Sequence, residues 1–233
     1  MKFILRLLFR VICALIVLDM LYVGYLWIQR DIQSQGEIPV SQFMLSYIEE
    51  RKIKTHLPQI SWQPIALTAV PESVYRVFII AEDTHFFVHN GFDIAAIKSV
   101  LKSSLKTKSI SRGASTISQQ TAKNLFLYPQ RSWLRKWHEL MFTLLLEITL
   151  DKNRILEIYL NIAEFGQGVY GINAAAQHYL GISANSITPR QASYLAAALP
   201  WPQKHNLNSA TKQFYTHANR IYKRSQKETF PTK

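Results

Sequence analysis

No run in this chain alternates apolar and polar residues well enough to be a half-buried strand. What recurs is the three-and-four spacing of helices with one apolar face. Val74, Val77, Phe78 and Ala81 show it, as do Ile94, Ile97, Leu101 and Leu105. Residues that start and stop helices bound these segments. Pro71 suits a first turn, Asp93 and Asp151 suit N-caps, and Thr188-Pro-Arg-Gln191 is a capping-box start with proline at the first position. Gly181 suits a C-cap, and Pro200 and Pro202 end the last strongly apolar helix. Helices are expected over 42–54, 132–150, 152–161 and 172–180, with a basic, frayed helix from Ser209 onward. Gly166, Gly168 and Gly171 read as a loop. The expected fold is mainly α.

The N-terminus adds a second constraint. Lys2, Arg6 and Arg10 precede a run from Val11 to Ile28 that is apolar except for Asp19. Such a run is about long enough for a membrane helix. Tyr22, Tyr25 and Trp27 gather near its far end, where an interfacial aromatic belt would sit. Positive charge before the span puts the N-terminus in the cytoplasm and the rest outside. A cleaved signal peptide is the competing reading, but no small-x-small site follows the run. Asp19 opposes insertion, by about 2.5–3.5 kcal/mol at mid-membrane; the surrounding Leu, Ile and Val could offset that, or Asp19 could contact a partner helix. The one cysteine, Cys13, lies in this run, so the chain has neither an internal disulfide nor a cysteine zinc site.

The 233 residues carry 27 Lys and Arg against 15 Asp and Glu, a formal net charge of +12 that favours anionic partners. Between Ile94 and His138 there are nine Lys or Arg and no Asp or Glu. Leu125, Phe126, Leu127, Tyr128, Trp133, Leu134 and Trp137 are interleaved with them, as on a surface that touches lipid. Single-stranded nucleic acid would also suit basic and aromatic residues, but the expected topology places this face outside the cytoplasm. Within the stretch, Arg112-Gly-Ala-Ser-Thr-Ile-Ser-Gln-Gln-Thr-Ala-Lys-Asn124 puts a turn glycine and capping hydroxyls (Ser115 or Thr116) before a helix. Gln119 and Lys123 are i,i+4 on that helix, as are Gln120 and Asn124. A helix N-terminus with hydroxyls, amides and a lysine suits a phosphate, although a plain capped surface helix has the same pattern.

Few carboxylates remain after the connector. Glu82 lies among Phe78, Ile79, Ile80, Ala81, Phe86 and Phe87, and such neighbours raise a carboxyl pKa toward the range of a general base. Glu139 follows Arg135 and Lys136 on one helical face, an opposite environment. Two carboxylates so divided suit glycosyl chemistry, whereas an isolated Glu is ordinarily a surface or salt-bridge residue. His85 and His89 are i,i+4 like half a metal site, with no third ligand at a suggestive spacing; His89 fits better as a loop hydrogen-bonder. Ser99-x-x-Lys102 and Ser103-x-x-Lys106 match the start of an acyl-serine site, but the companion motifs are missing.

Five segments, in order, resemble the peptidoglycan glycosyltransferases of glycosyltransferase family 51, specifically the monofunctional membrane-anchored biosynthetic transglycosylases. They are Glu82-Asp-x-x-Phe86-x-x-His89-x-Gly91, Gly113-Ala-Ser-Thr-Ile-Ser-Gln-Gln-x-x-Lys123-Asn124, Arg135-Lys136-x-x-Glu139, Lys152-x-x-Ile-Leu-Glu157-x-Tyr159-Leu-Asn161, and the helix over 191–199 with Pro200 and Pro202. Ala114 and Gln191 depart from the residues common there, and no Asn-Pro or Asp-Pro follows Pro202. The resemblance implies a lysozyme-like, two-lobed domain over 66–233. Residues 1–10 would then be cytoplasmic, 11–28 the single transmembrane anchor, and 29–65 a connector and membrane-proximal segment. It implies polymerisation of lipid II into glycan strands with inversion, at the periplasmic face of a bacterial inner membrane. Glu82 would be the general base and Glu139 the second carboxylate. Ser115, Thr116, Gln119, Gln120, Lys123, Asn124, Arg131, Arg135 and Lys136 would bind substrate. No cofactor is required, though a divalent cation, Mg2+ or Mn2+, is compatible. The partners implied are lipid II, the growing glycan, membrane lipid and cell-division or cell-wall synthase proteins.

Overall fold

The computed structural model describes residues 2–30, 32, 36–107, 115–130 and 132–228. Its helices are α1 (Lys2–Ile28), α2 (Gln42–Ile53), α3 (Glu72–Glu82), α4 (Ile94–Thr107), α5 (Ile117–Phe126), α6 (Trp133–Thr149), α7 (Lys152–Ile162), α8 (Ile172–Leu180), α9 (Pro189–Ala198) and α10 (Lys212–Lys227). A small sheet of β1 (Ser61–Trp62), β2 (Glu164–Gly166) and β3 (Val169–Tyr170) has the order β1-β3-β2, with β1 parallel and β2 antiparallel to β3. The mainly α expectation holds. The sheet escapes a sequence reading because strands of two or three residues are too short to show a period.

The helix boundaries follow from local chemistry. Asp93 Oδ1 accepts from Ala96 N–H at 2.8 Å, and Asp151 Oδ1 from Arg154 N–H at 2.8 Å. Thr188 and Gln191 form the reciprocal capping box that starts α9, with Pro189 at its first position. Gly181 closes α8 in the left-handed conformation, φ +69°. Pro71 caps α3 from outside, and the helix begins at Glu72.

At the centre of the core, α5 packs against α6 and α7 and touches α2. Phe126 of α5 stacks on Phe142 of α6 at 4.0 Å, and Phe78 of α3 meets Phe165 of β2 edge-on at 6.0 Å. Polar side chains of α7 sew the preceding segment onto this core. Asn161 Oδ1 accepts from Ile65 N–H and its Nδ2 donates to Ile65 O, both at 2.8 Å. Glu157 Oε1 accepts from Leu67 N–H, while Arg154 donates to Gly36 O and Glu37 O. Glu157 and Asn161 of the fourth motif are therefore scaffold residues in this fold: their side chains bind backbone.

One expectation needs correction and another is not shown. The C-terminal segment does not fray. Phe214, Ala218, Ile221 and Ser225 of α10 fall on one face and are buried, and the helix packs on α9 and α3. Its many basic residues hide an amphipathic stripe from a reading by composition. The anchor expected over 11–28 also meets a different finding: among the described residues no helix is long and apolar enough to cross a membrane. That region lies in α1, a 27-residue helix in which Asp19 interrupts the apolar run. Most of its apolar side chains, from Phe3 to Ile28, are exposed. Its C-terminal half lies against α6, with Val23 buried and Trp27 stacked on Phe126 at 5.5 Å.

Candidate active site

The first motif places Glu82 as the last residue of α3 and Asp83 as its C-cap. These neighbours do different work. Asp83 is buried; its Oδ2 accepts from Ile117 N–H at 2.9 Å, and its two oxygens each lie 3.0 Å from His89 Nε2. His89 Nδ1 accepts from Gly91 N–H at 3.1 Å, so that nitrogen is bare and Nε2 carries the hydrogen given to Asp83. This network pins the loop after Glu82 to the start of α5. The expectation that His89 is a structural hydrogen-bonder holds. His85 turns to a different carboxylate, with Nδ1 2.7 Å from Asp93 Oδ2, so the two histidines do not share a ligand site. Among the described residues no three His, Cys, Asp or Glu side chains converge to hold a metal.

Thr116, not Ser115, caps α5. Its Oγ1 accepts from Gln119 N–H at 3.1 Å and donates to Gly91 O at 2.6 Å, while Gln119 Oε1 accepts from Thr116 N–H at 3.0 Å. Thr116 and Gln119 are buried supports, and Ser115 is exposed. The helix N-terminus read as a phosphate cradle is therefore occupied. Ile117 N–H goes to the Asp83 carboxylate and Gln119 N–H to Thr116, leaving those donors nothing for an anion. Arg112, Gly113, Ala114 and Arg131 lie outside the described residues.

Gln120 and Lys123, farther along α5, act on Glu82. Gln120 Nε2 donates to Glu82 Oε2 at 2.9 Å. Glu82 as a residue is half-buried, yet its carboxyl is enclosed by protein. Burial raises its pKa above the ordinary range, against the Gln120 hydrogen bond and the Lys123 charge, with Asp83 adding to the rise. Lys123, one turn beyond Gln119, is where several charges converge. Burial lowers its pKa, Glu139 opposes that, Arg135 adds to it, Glu82 opposes and Lys136 adds. Two carboxylates and three cations from α3, α5 and α6 thus act on one another. Glu139 is buried on α6 and ion-paired with Lys136 Nζ. Arg135 Nε is buried without a hydrogen-bond partner among the described residues. Asn124 is buried near the end of α5.

Three residues assigned no role at the site from sequence bear on it. Glu164, on β2, also has a carboxyl pKa raised by burial, against a 3.0 Å hydrogen bond from Gln203 Nε2 and the Lys123 charge. Tyr159 is wholly buried, its hydroxyl has no partner among the described residues, and its pKa is raised by burial and by Glu82 and Asp83. Glu147 accepts from Ser118 Oγ and pairs with Lys152 at 2.7 Å, tying α5, α6 and α7 together. The scarcity of acidic residues after the connector was the signal that could have found Glu147 and Glu164. The interleaved aromatic segment divides in two: Leu125, Phe126 and Leu127 enter the core, whereas Tyr128, Trp133, Leu134 and Trp137 are exposed, Trp133 by 93%.

Comparison with known proteins identifies relatives of this chain. A family model described as transglycosylase matches residues 50–226. A biosynthetic peptidoglycan transglycosylase of Bdellovibrio bacteriovorus is 47% identical over 163 residues, 70% of this chain and 64% of that protein. One of Aeromonas hydrophila is 52% identical over 146 residues, 63% of this chain and 61% of that protein. The chain thus spans less than two thirds of the length of these relatives. One of a Janthinobacterium species is 35% identical over 234 residues, 99% of this chain and 100% of that protein. With the match over most of its length and relatives of this kind, the chain belongs to the transglycosylase family.

Proposed function

We propose that this chain is a peptidoglycan glycosyltransferase that polymerises lipid II into glycan strands by inverting transfer. The observation that carries the proposal is the enclosed Glu82 carboxyl. It is hydrogen-bonded by Gln120 and feels the Lys123 charge, and Lys123 in turn feels the paired Glu139. A carboxyl whose pKa is raised by burial is suited to take a proton near neutral pH. Glu82 would accept it from the 4-hydroxyl of the acceptor N-acetylglucosamine. That oxygen attacks the anomeric carbon of the growing chain, and undecaprenyl pyrophosphate leaves. Lys123, Arg131, Arg135 and Lys136 would offset the charge that develops on the leaving group. The unpartnered Arg135 Nε supports an anion there. Glu139 would hold Lys136 and Lys123 in place, Gln120 and Asn124 would position oxygens of the substrate, and Ser115 would lie at the cleft mouth.

The same reading makes the domain a lysozyme-like fold with a membrane-proximal lobe. α1 would be its anchor in the bacterial inner membrane, with the catalytic domain in the periplasm. Asp19, the single charge within 11–28, is met by Trp137 and His138, which lowers the cost of placing it among lipid. The exposed Trp133, Leu134 and Trp137 extend that apolar surface onto the domain.

Purified chain supplied with fluorescently labelled lipid II tests the proposal. The expected result is long glycan products, with Glu82→Gln reducing their formation by at least about two orders of magnitude. Cleavage of preformed glycan without polymerisation would replace the proposal with a hydrolase. An unimpaired Glu82→Gln would remove the base.

A further inference from the structure

Asp19 is the one charge in the apolar run, and it is not idle. Its Oδ1 lies 2.7 Å from His138 Nε2, and its Oδ2 accepts from Trp137 Nε1 at 2.9 Å. Tyr22 lies against the His138 ring at 5.7 Å. Farther along, Val23 is buried, Trp27 stacks on Phe126, and Arg30 donates to Val40 O at 2.9 Å. Asp19, Tyr22, Val23 and Trp27 recur at three-and-four spacing and form one continuous face of α1, with Arg30 just past its end. His138 directly precedes Glu139 on α6, and Arg135 and Lys136 lie within a turn of it. Asp19 lies nine residues before the end of α1, about 14 Å along its axis. The contact is therefore made well down the helix and not at its exit.

We infer that Asp19 is a positioning residue: its clamp on Trp137 and His138 fixes the height and rotation of α6, the helix that presents Arg135, Lys136 and Glu139 to the cleft. The inference rests on the proposed transfer reaction for its kinetic readout, but the clamp itself does not depend on that reaction. On this reading α1 is a wall of the catalytic unit as well as a tether. The apolar run keeps a charge because a leucine, though better for insertion, would release α6.

Asp19→Leu and Asp19→Asn separate the clamp from membrane affinity. The full chain is used in vesicles of anionic phospholipid, with labelled lipid II. Leucine removes both hydrogen bonds and improves insertion; asparagine can accept from Trp137 and donate to His138 once the imidazole changes tautomer. The expected result is that Asp19→Leu binds vesicles at least as well as wild type while kcat falls roughly 10–100-fold with KM little changed, the scale of an ångström-level misplacement. Asp19→Asn should restore most of kcat. His138→Ala should behave like Asp19→Leu, and the double variant should be no worse than either. Amide hydrogen exchange is read in parallel over 133–139: Asp19→Leu should lose protection there and Asp19→Asn should keep it. Wild-type exchange and kcat in Asp19→Leu would overturn the clamp, as would a loss of rate matched by a loss of vesicle binding. If the wild-type chain makes no glycan, the proposed function fails, and the exchange measurement still decides the clamp.

Discussion

Asp83→Asn removes one negative charge and one acceptor from the buried junction between α3, the His89 loop and α5. In the native junction Oδ2 accepts from Ile117 N–H at 2.9 Å, and both oxygens lie 3.0 Å from His89 Nε2. The His89 hydrogen cannot move to Nδ1, which accepts from Gly91 N–H. An asparagine oxygen in the Oδ2 place could serve both donors, but the amide nitrogen would then face the Nε2–H group. The reversed amide would instead set its NH2 against Ile117 N–H. A hydrogen bond to a charged group contributes about 1.5–3 kcal/mol, and a buried donor without an acceptor costs about 1–3 kcal/mol. The loss should be roughly 3–5 kcal/mol, a large part of the ~5–15 kcal/mol stability of a folded protein. Urea unfolding at pH 7, followed by circular dichroism in detergent, measures it. Ile117 opens the helix that holds Gln120 and Lys123 against Glu82, so kcat should fall too. The Asp83 charge contributes to the raised Glu82 pKa, so its removal should move the acid limb of the pH–rate profile to lower pH. A destabilisation under about 1 kcal/mol, with the acid limb unmoved or shifted upward, would refute this account of the junction.

Three further outcomes follow from the same structure. The acid limb of kcat/KM should lie above the ordinary glutamate value of about 4.3, because burial raises the Glu82 pKa. A carboxyl raised in the folded state favours folding while protonated, below its unfolded pKa, and loses that contribution as pH rises through the folded pKa. Glu82→Gln should therefore be more stable than wild type at pH 8, by about 1.4 kcal/mol for every tenfold gain in proton affinity that the carboxyl makes on folding. The gap should close toward pH 4, and equal melting temperatures at both pH values would contradict an enclosed base. Gly171 has φ +82° and ψ 151°, and a Cβ there would stand 2.7 Å from Asn161 O. Gly171→Ala should destabilise by about 3 kcal/mol or more and lower the melting temperature by roughly 6–12 °C, and a thermal melt within a degree of wild type would count against it.

Single positions show what was legible in the chain and what was not. Asp93, Asp151, Thr188 and Gly181 announced their helix ends because capping is a contact between a side chain and backbone only a few residues away. Glu82 announced its environment because its neighbours in sequence are also its neighbours in space, at the end of α3. Gln119 shows the opposite case. Helical spacing put it beside Lys123, yet its amide turns back to Thr116 and leaves Gln120 to face Glu82. Glu164 lies 41 positions from Lys123 in sequence, and nothing local connects them.

The order of residues was enough for the helical class, most element boundaries, and the motif series from which the family and its two carboxylates could be read. All of these rest on contacts within a turn or two, or on patterns preserved as text. Packing alone established that the α5 N-terminus is occupied by Asp83, that Glu157 and Asn161 of α7 hold backbone, that α10 belongs to the core, and that Asp19 meets His138. Each of those pairings joins residues far apart in the chain, and which distant donor meets which acceptor is set by how the helices pack.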